Sequence, residues 1–135
     1  ALAVATDNAH RTGAIRNLRL LQGSLFEPVA GERFDLITGN PPYISAPELA
    51  ALPGDVRDFE PRLALDGGAD GLDFVRQIAN LSPSHLTPGG LLALEIGYEQ
   101  GAAAQEILRR ADFVDVQLAR DLGGRDRVVS GYGPP

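Results

Sequence analysis

Apolar and polar positions change period along this chain, and the changes mark out its elements. Leu2, Val4, Ala5 and Ala9 stand at helical spacing from the outset, and the helix they predict ends near residues 11–13. A pattern already under way at the first residue leads us to expect a piece of a longer protein. Leu18, Leu20 and Leu21 then predict a short strand stopped by Gly23. The apolar residues of 34–38 are nearly consecutive, as expected of a buried parallel strand, and that strand must stop at Asn40 because Pro41 and Pro42 lack backbone donors.

Residues 44–71 are rich in Pro, Gly and Asp, with one short helix expected at 47–52. So long a connection in a compact domain reads as a lid or a binding wall. Leu72, Val75, Ile78, Ala79 and Leu86 predict an amphipathic helix that leads to Pro88-Gly89-Gly90, and residues 91–96 predict another buried strand. A helix over 99–111 follows, with Ala103, Ile107 and Leu108 turned inward, then strands at 113–118 and 126–130 and a frayed tail from Tyr132. Strands alternating with helices predict an α/β fold with a mostly parallel, doubly wound sheet, whose ligands lie beyond the carboxyl ends of the strands. Gly39-Asn40 and Gly97-Tyr98 occupy two such ends.

Composition then removes several kinds of chemistry. No apolar run is long enough to cross a bilayer, so no membrane association is expected. Cysteine is absent, which excludes disulfides, thiolate metal sites and a cysteine nucleophile, and makes the cytoplasm the expected compartment. His10 and His85 have no metal-ligand spacing, so they read as surface residues and no metal is expected. A net charge of −6 argues against direct nucleic-acid binding, which depends on clustered cations that neutralise phosphates.

Asn40-Pro41-Pro42-Tyr43, directly after the apolar strand, is the most informative motif. An amide or exocyclic amine is a poor nucleophile because its lone pair is delocalised, so an enzyme that alkylates it must grip both N–H bonds. The side-chain oxygen of Asn40 offers one acceptor and the Pro41 carbonyl, fixed by the ring, a second. Tyr43 offers a flat face to a planar group. No general base is needed at the outset, since the nitrogen can attack first and lose its proton later. The four residues alone also fit a proline turn capped by Asn; their place after a buried strand favours chemistry.

The stretch from Phe34 through Asn40-Pro41-Pro42-Tyr43-Ile44, with Asp55-Val56-Arg57, Phe59-Glu60-Pro61-Arg62-Leu63-Ala64-Leu65 and Gly67-Gly68-Ala69-Asp70-Gly71-Leu72, resembles the HemK/PrmC family of protein-glutamine methyltransferases. Pro88-Gly89-Gly90, Glu95-Ile96-Gly97 and Gly124-Arg125-Asp126-Arg127-Val128-Val129 extend the likeness over nearly the whole chain. The resemblance implies a Rossmann-like class I fold that uses S-adenosyl-L-methionine to methylate the Gln of the Gly-Gly-Gln motif in peptide-chain release factors. It implies that Asn40 and Pro41 hold the glutamine amide while Pro42 and Tyr43 shape the slot. Ser24 stands where the family usually has an acidic partner for the cofactor's adenine, with Leu25 and Phe26 beside it, and Asn40 also borders the cofactor.

The family's glycine-rich cofactor loop and the acidic residue after its second strand have no counterpart here. Residues 1–135 are therefore expected to be a partial catalytic domain that lacks the first two strands and the N-terminal helical domain, and to be inactive alone. Gly67-Gly68-Ala69-Asp70-Gly71 follows no strand and reads as turn structure. Glu60, Arg62, Asp66 and Asp70 read as solvated loop residues, with Asp70 capping the next helix. Glu95 is the stronger additional substrate-binding candidate, with pairing to an arginine as the alternative. Arg125, Asp126 and Arg127 are expected to brace a terminal hairpin. Glutamine methylation of a ribosomal protein and adenine methylation of nucleic acid remain as other activities of related enzymes.

Overall fold

A computed structural model describes residues 1–54 and 61–134, so Asp55, Val56, Arg57, Phe59 and Glu60 of the resemblance lie outside the described residues. The chain divides into two compact units, residues 1–30 and 31–135.

The first unit contains α1, Leu2–Arg11, and 3-10 turns at Ala14–Asn17 and Glu27–Val29. Residues 18–21 are not a strand. Alternating leucines are not sufficient for one, because a strand persists only through a ladder, and no described segment pairs with these residues.

The second unit is built on a four-stranded sheet in the order β1-β2-β4-β3, with β1 at Phe34–Gly39, β2 at Leu86–Glu95, β3 at Val114–Arg120 and β4 at Asp126–Tyr132. β1 and β2 pair in parallel, whereas β4 pairs antiparallel with both β2 and β3. Three strands thus run one way with β4 reversed between them. The expected mostly parallel sheet holds for strand direction, but only one of its three ladders is parallel. The frayed tail is corrected too, since β4 continues through Tyr132 and the Gly133 N–H donates to the Gly90 carbonyl at 2.8 Å.

Central β2 carries the core. Leu92, Leu94 and the following Ile96 have no exposed surface, and Val129 of β4 is equally buried. β1 lies on the edge of this sheet, none of its residues is fully buried and its Leu36 is 54% exposed, so the sequence expectation of a buried strand fails along its length. β2 begins at Leu86, earlier than predicted. Its register with β1 jumps between the pairs Phe34/Leu36 and Leu86/Leu91, and the Pro-Gly-Gly segment occupies the jump.

The described helices of this unit are α2, Ala46–Ala51, α3, Asp73–Leu81, and α4, Gly101–Arg110. Leu72 and, in α3, Val75, Ile78 and Ala79 form the buried stripe that their spacing predicts. The helix ends at Leu81 and a 3-10 turn takes over at Ser82–His85. Pro83 has no N–H with which to extend the i→i−4 ladder, so the α-helix gives way there although Ser82 before it keeps αR geometry. In α4 the buried residues are Gly101, Ala104 and Leu108, not Ala103, which is exposed. Gly101 is where the helix meets the sheet, since a β-carbon there would lie 2.6 Å from the Asp126 carboxylate and 2.7 Å from Leu118.

Candidate active site

The chain leaves β1 at Gly39 and enters Asn40-Pro41-Pro42-Tyr43 without helical or strand structure. Asn40 is exposed and Pro41 buried, while Pro42 and Tyr43 are half-buried. Among the described residues no hydrogen bond takes up the Asn40 side-chain amide. The turn is fixed just downstream. Ile44 donates its N–H to the Leu65 carbonyl at 3.1 Å and accepts from Gly67 N–H at 2.9 Å, and Ile44 and Asp66 form a parallel bridge. Ala46 N–H then donates to Gly68 O at 2.9 Å. Both ends of the long 44–71 connection are therefore tied to each other beside the motif.

The segment 67–71 presses on the motif from one side. A β-carbon at Gly67 would lie 2.8 Å from the Pro42 carbonyl oxygen, and one at Gly71 would lie 2.3 Å from that of Tyr43. The turn-forming reading of these glycines is right for Gly68 and Gly71, whose φ values are +91° and +76°, but close approach to the motif is a second reason for glycine.

Tyr43 and Glu95, one from each strand end, come together: the Tyr43 hydroxyl donates to Glu95 Oε1 at 3.4 Å. Glu95 is half-buried, and this phenol stands where an arginine was the alternative. Past Glu95, the loop at Gly97 is closed by Gln100. Its side-chain oxygen accepts the Gly97 N–H at 2.8 Å, and its side-chain nitrogen donates to the carbonyls of Tyr43 at 2.9 Å and Asp70 at 3.3 Å.

A cleft of about 660 Å³ opens between these segments, with Tyr43, Ser45, Asp70, Tyr98 and Gln100 among its walls. Asn40, Pro41 and Pro42 do not line it. Ser45 heads α2, and both its N–H and its hydroxyl donate to Glu48, at 2.9 and 2.6 Å. These bonds hold the Glu48 carboxyl below its ordinary range, the hydroxyl contributing most. Tyr98, on another wall, has the Arg125 guanidinium 5.3 Å from its ring centre, a cation–π contact that periodicity does not reveal.

The polar lid residues are engaged in structure. Arg62 pairs with Asp66 at 3.2 Å, and Asp66 also accepts the Gly68 N–H at 3.0 Å. Asp70 does not cap α3 as expected, since Leu72 is the N-cap and no side chain caps the helix; it accepts the Leu72 N–H at 3.1 Å in the turn before the helix and is ion-paired with Arg76. Hydrogen bonding from Arg76 brings its carboxyl down to about 2. The hairpin turn is braced by Asp121, which the sequence reading missed. Its carboxylate accepts the N–H groups of Gly123 and Arg125 at 2.9 and 3.0 Å and meets Arg127 at 3.4 Å. Arg127 also donates to the Ile96 carbonyl at 3.2 Å, and Asp126 pairs with Arg120 at 3.3 Å.

Within the first unit, Ser24 is exposed and Leu25 and Phe26 are half-buried. The Ser24 N–H faces the Glu27 carboxylate at 3.4 Å, and Leu25 adopts a positive φ of 46°. No group of residues suited to a metal ion occurs among the described residues. His10 is exposed, and His85 lies with Nδ1 3.1 Å from the Glu32 carbonyl oxygen.

The reversed strand set between parallel-running neighbours, with polar loops at the carboxyl ends of β1 and β2, defines part of a Rossmann-like class I methyltransferase fold. A methyltransferase from Pyrococcus furiosus shares it with a TM-score of 0.60 at 17% identity, over 96% of this chain and 57% of that one. No family model matches the chain. In sequence it is 50% identical over 131 residues to the release factor glutamine methyltransferase of Geobacter sulfurreducens, covering 97% of this chain and 45% of that protein. With the enzyme of the same name from Cereibacter sphaeroides it shares 50% over 134 residues, covering 99% and 48%. The chain is similar to these glutamine methyltransferases over nearly its whole length, and it spans about half the length of the relatives it matches.

Proposed function

We propose that this chain is the substrate-holding part of a cytoplasmic enzyme that methylates the side-chain amide nitrogen of a protein glutamine, with peptide-chain release factors as substrate. The observation that carries the proposal is the Asn40–Tyr43 turn, exposed at Asn40 and pinned at Tyr43, at the carboxyl end of a strand in this fold. The names of the relatives supply the substrate class.

The Asn40 side-chain oxygen accepts one N–H of the target amide and the Pro41 carbonyl the other, which aims the lone pair out of the amide plane. As the nitrogen forms its new bond to carbon it loses amide conjugation and gains positive charge, and the two acceptors meet that charge. The methyl carbon's bond to the sulfonium sulfur would break with its electron pair kept by sulfur, and one N–H proton then leaves to solvent water. Holding attack geometry in this way is worth on the order of 7–11 kcal/mol when it is tight. Tyr43 presents its ring to the planar group, Pro42 stiffens the slot, and Glu95 holds the ring through its hydroxyl. S-adenosyl-L-methionine, when bound, supplies an electrophilic methyl group on a sulfonium. One acceptor at exposed Ser24 beside the half-buried Leu25 and Phe26 suits the amino edge and apolar face of its adenine.

The test is methyl transfer by the complete gene product, using labelled cofactor and three acceptors: a release factor, total ribosomal protein, and an adenine-containing oligonucleotide. Label on the release factor, lost when its Gly-Gly-Gln glutamine is replaced, is expected. Label on the oligonucleotide, or on none of the three, would overturn the proposal. Label on ribosomal protein alone would keep the chemistry and correct the substrate.

A further inference from the structure

We infer that Gln100 is a positioning residue, one that sets the Asn40–Tyr43 turn in its working orientation by clamping the Tyr43 carbonyl to the loop after β2. The inference rests on the reading of that turn as the amide-holding slot. Its basis is the division of labour within one side chain. A carboxamide has one oxygen that accepts and one nitrogen with two N–H donors. Here the oxygen takes the Gly97 N–H at 2.8 Å, and the two donors go to Tyr43 O at 2.9 Å and Asp70 O at 3.3 Å. The three backbone groups belong to three separate segments: the motif after β1, the loop before α3 and the loop after β2.

This arrangement also fixes which end of the amide faces which partner. Gly97 presents a donor, so it must meet the oxygen; Tyr43 and Asp70 present carbonyls, so they must meet the nitrogen. No other side chain of this length offers one acceptor and two donors. A glutamate would place a carboxylate against two carbonyl oxygens, and a lysine would leave the Gly97 N–H unmet. Gly71 closes the clamp from behind, because a β-carbon there would lie 2.3 Å from both the Gln100 nitrogen and the Tyr43 oxygen. Nothing larger than hydrogen fits between the clamp and the 67–71 segment.

The consequence for catalysis follows from position. The Tyr43 carbonyl is two residues beyond the Pro41 carbonyl, and the intervening Pro42 makes the link stiff. Without the Gln100 bond the Tyr43–Ile44 peptide is held on one side only, by the Ile44 N–H to the Leu65 carbonyl, so the acceptor that meets the amide is aimed less firmly. A displacement near 1 Å at such a point costs about a hundredfold in rate. Gln100 itself touches neither reacting atom in this account, so the loss falls on turnover more than on cofactor affinity.

The experiment uses the complete gene product with Gln100→Glu and Gln100→Met, and Asn40→Ala in parallel. Gln100→Glu inverts the donors; Gln100→Met keeps the length and removes all three bonds. Steady-state methylation of a release factor, cofactor binding by calorimetry and thermal melting are measured on each. The expected result is a fall in kcat of roughly thirtyfold to a hundredfold for Gln100→Glu and a smaller fall for Gln100→Met. Cofactor affinity and the KM for the release factor should stay within about threefold in both, where general loosening of the fold would move all three quantities together. Near-normal kcat in either folded variant overturns the inference, as does loss of the fold in both, which would make Gln100 structural only. If Asn40→Ala also turns over normally, the reading of the motif fails; if Asn40→Ala is slow while the Gln100 variants are normal, only the role of Gln100 fails.

Discussion

Replacing Gly71 by alanine separates two costs that glycine avoids at this site, because Gly89 provides a control for one of them. Both residues have positive φ, +76° at Gly71 and +75° at Gly89. At Gly89 a β-carbon would meet nothing within 4 Å, so Gly89→Ala costs only the left-handed backbone, about 1–2 kcal/mol. At Gly71 the same strain applies, and the new methyl also falls 2.3 Å from the Tyr43 carbonyl oxygen and the Gln100 side-chain nitrogen. Ordinary contact requires those atoms to retreat by about an ångström, which breaks the clamp. The Tyr43 oxygen cannot yield freely, since the next residue is held at both its N–H and its carbonyl by Leu65 and Gly67. Losing the Gln100 bonds to Tyr43 and Asp70 costs about 1 kcal/mol each. Gly71→Ala should therefore be less stable than Gly89→Ala by about 2 kcal/mol, near thirtyfold in the unfolding equilibrium.

Urea unfolding of the two variants and the parent, as complete gene products, measures that difference at equal m-value. Amide exchange locates it: the Gly97 N–H, whose acceptor is the Gln100 side chain, should lose protection in Gly71→Ala and keep it in Gly89→Ala. Equal destabilisation of the two variants, within about 0.5 kcal/mol, would refute the contact argument and leave backbone strain as the whole effect at Gly71.

Three further predictions concern separate groups. Asn40→Ala should slow methyl transfer at least about a hundredfold, near 2.7 kcal/mol, with cofactor affinity changed far less; single-turnover rates and calorimetry give the two numbers. Ser24→Asp should tighten cofactor binding by about 1 kcal/mol through a charge-assisted hydrogen bond, and weaker or unchanged binding by calorimetry would remove Ser24 from the adenine site. Asp70 has its carboxyl lowered to about 2 chiefly by Arg76, so the stabilisation linked to it is complete above the unfolded carboxyl range and is lost as pH falls through about 2. An NMR titration of Asp70 should show that midpoint, and Arg76→Ala should raise it toward the ordinary aspartate value; an unmoved midpoint would exclude Arg76 as the main cause.

How much of this was legible in the sequence depended on how local each determinant is. The β1 end was readable because Pro41 and Pro42 forbid the strand by their own chemistry, wherever the rest of the chain lies. The buried stripe of α3 was readable for the same reason, as the periodicity of one helix contains it. The inward face of α4 was misread at Ala103. The helix starts at Gly101, and the residue packed inward is Ala104, one position and roughly 100° of helical rotation away. Runs of alanine carry no phase of their own, so only the sheet decides which one is buried. The failed strand at residues 18–21 and the reversed strand β4 share another cause, since pairing partners and strand direction belong to the ladder and not to the segment.

Gln100 is the extreme case. Its three partners stand 3, 30 and 57 residues away along the chain, all of them backbone groups that any sequence would supply. A polar residue at the head of a helix gives no pattern that points to them. What the sequence did contain was the complementary half of the clamp: a glycine at 71, whose lack of a side chain makes room for the Tyr43 carbonyl and the Gln100 amide to meet. The glycine-rich loop at 67–71 follows no strand, and turn formation alone does not account for it. Gly67 has no positive φ, and it is still excluded from bearing a side chain by the Pro42 carbonyl 2.8 Å from where its β-carbon would stand. The two glycines that touch the motif do so at its backbone, which is the part of a candidate catalytic turn that must be held still if Asn40 is to keep its aim.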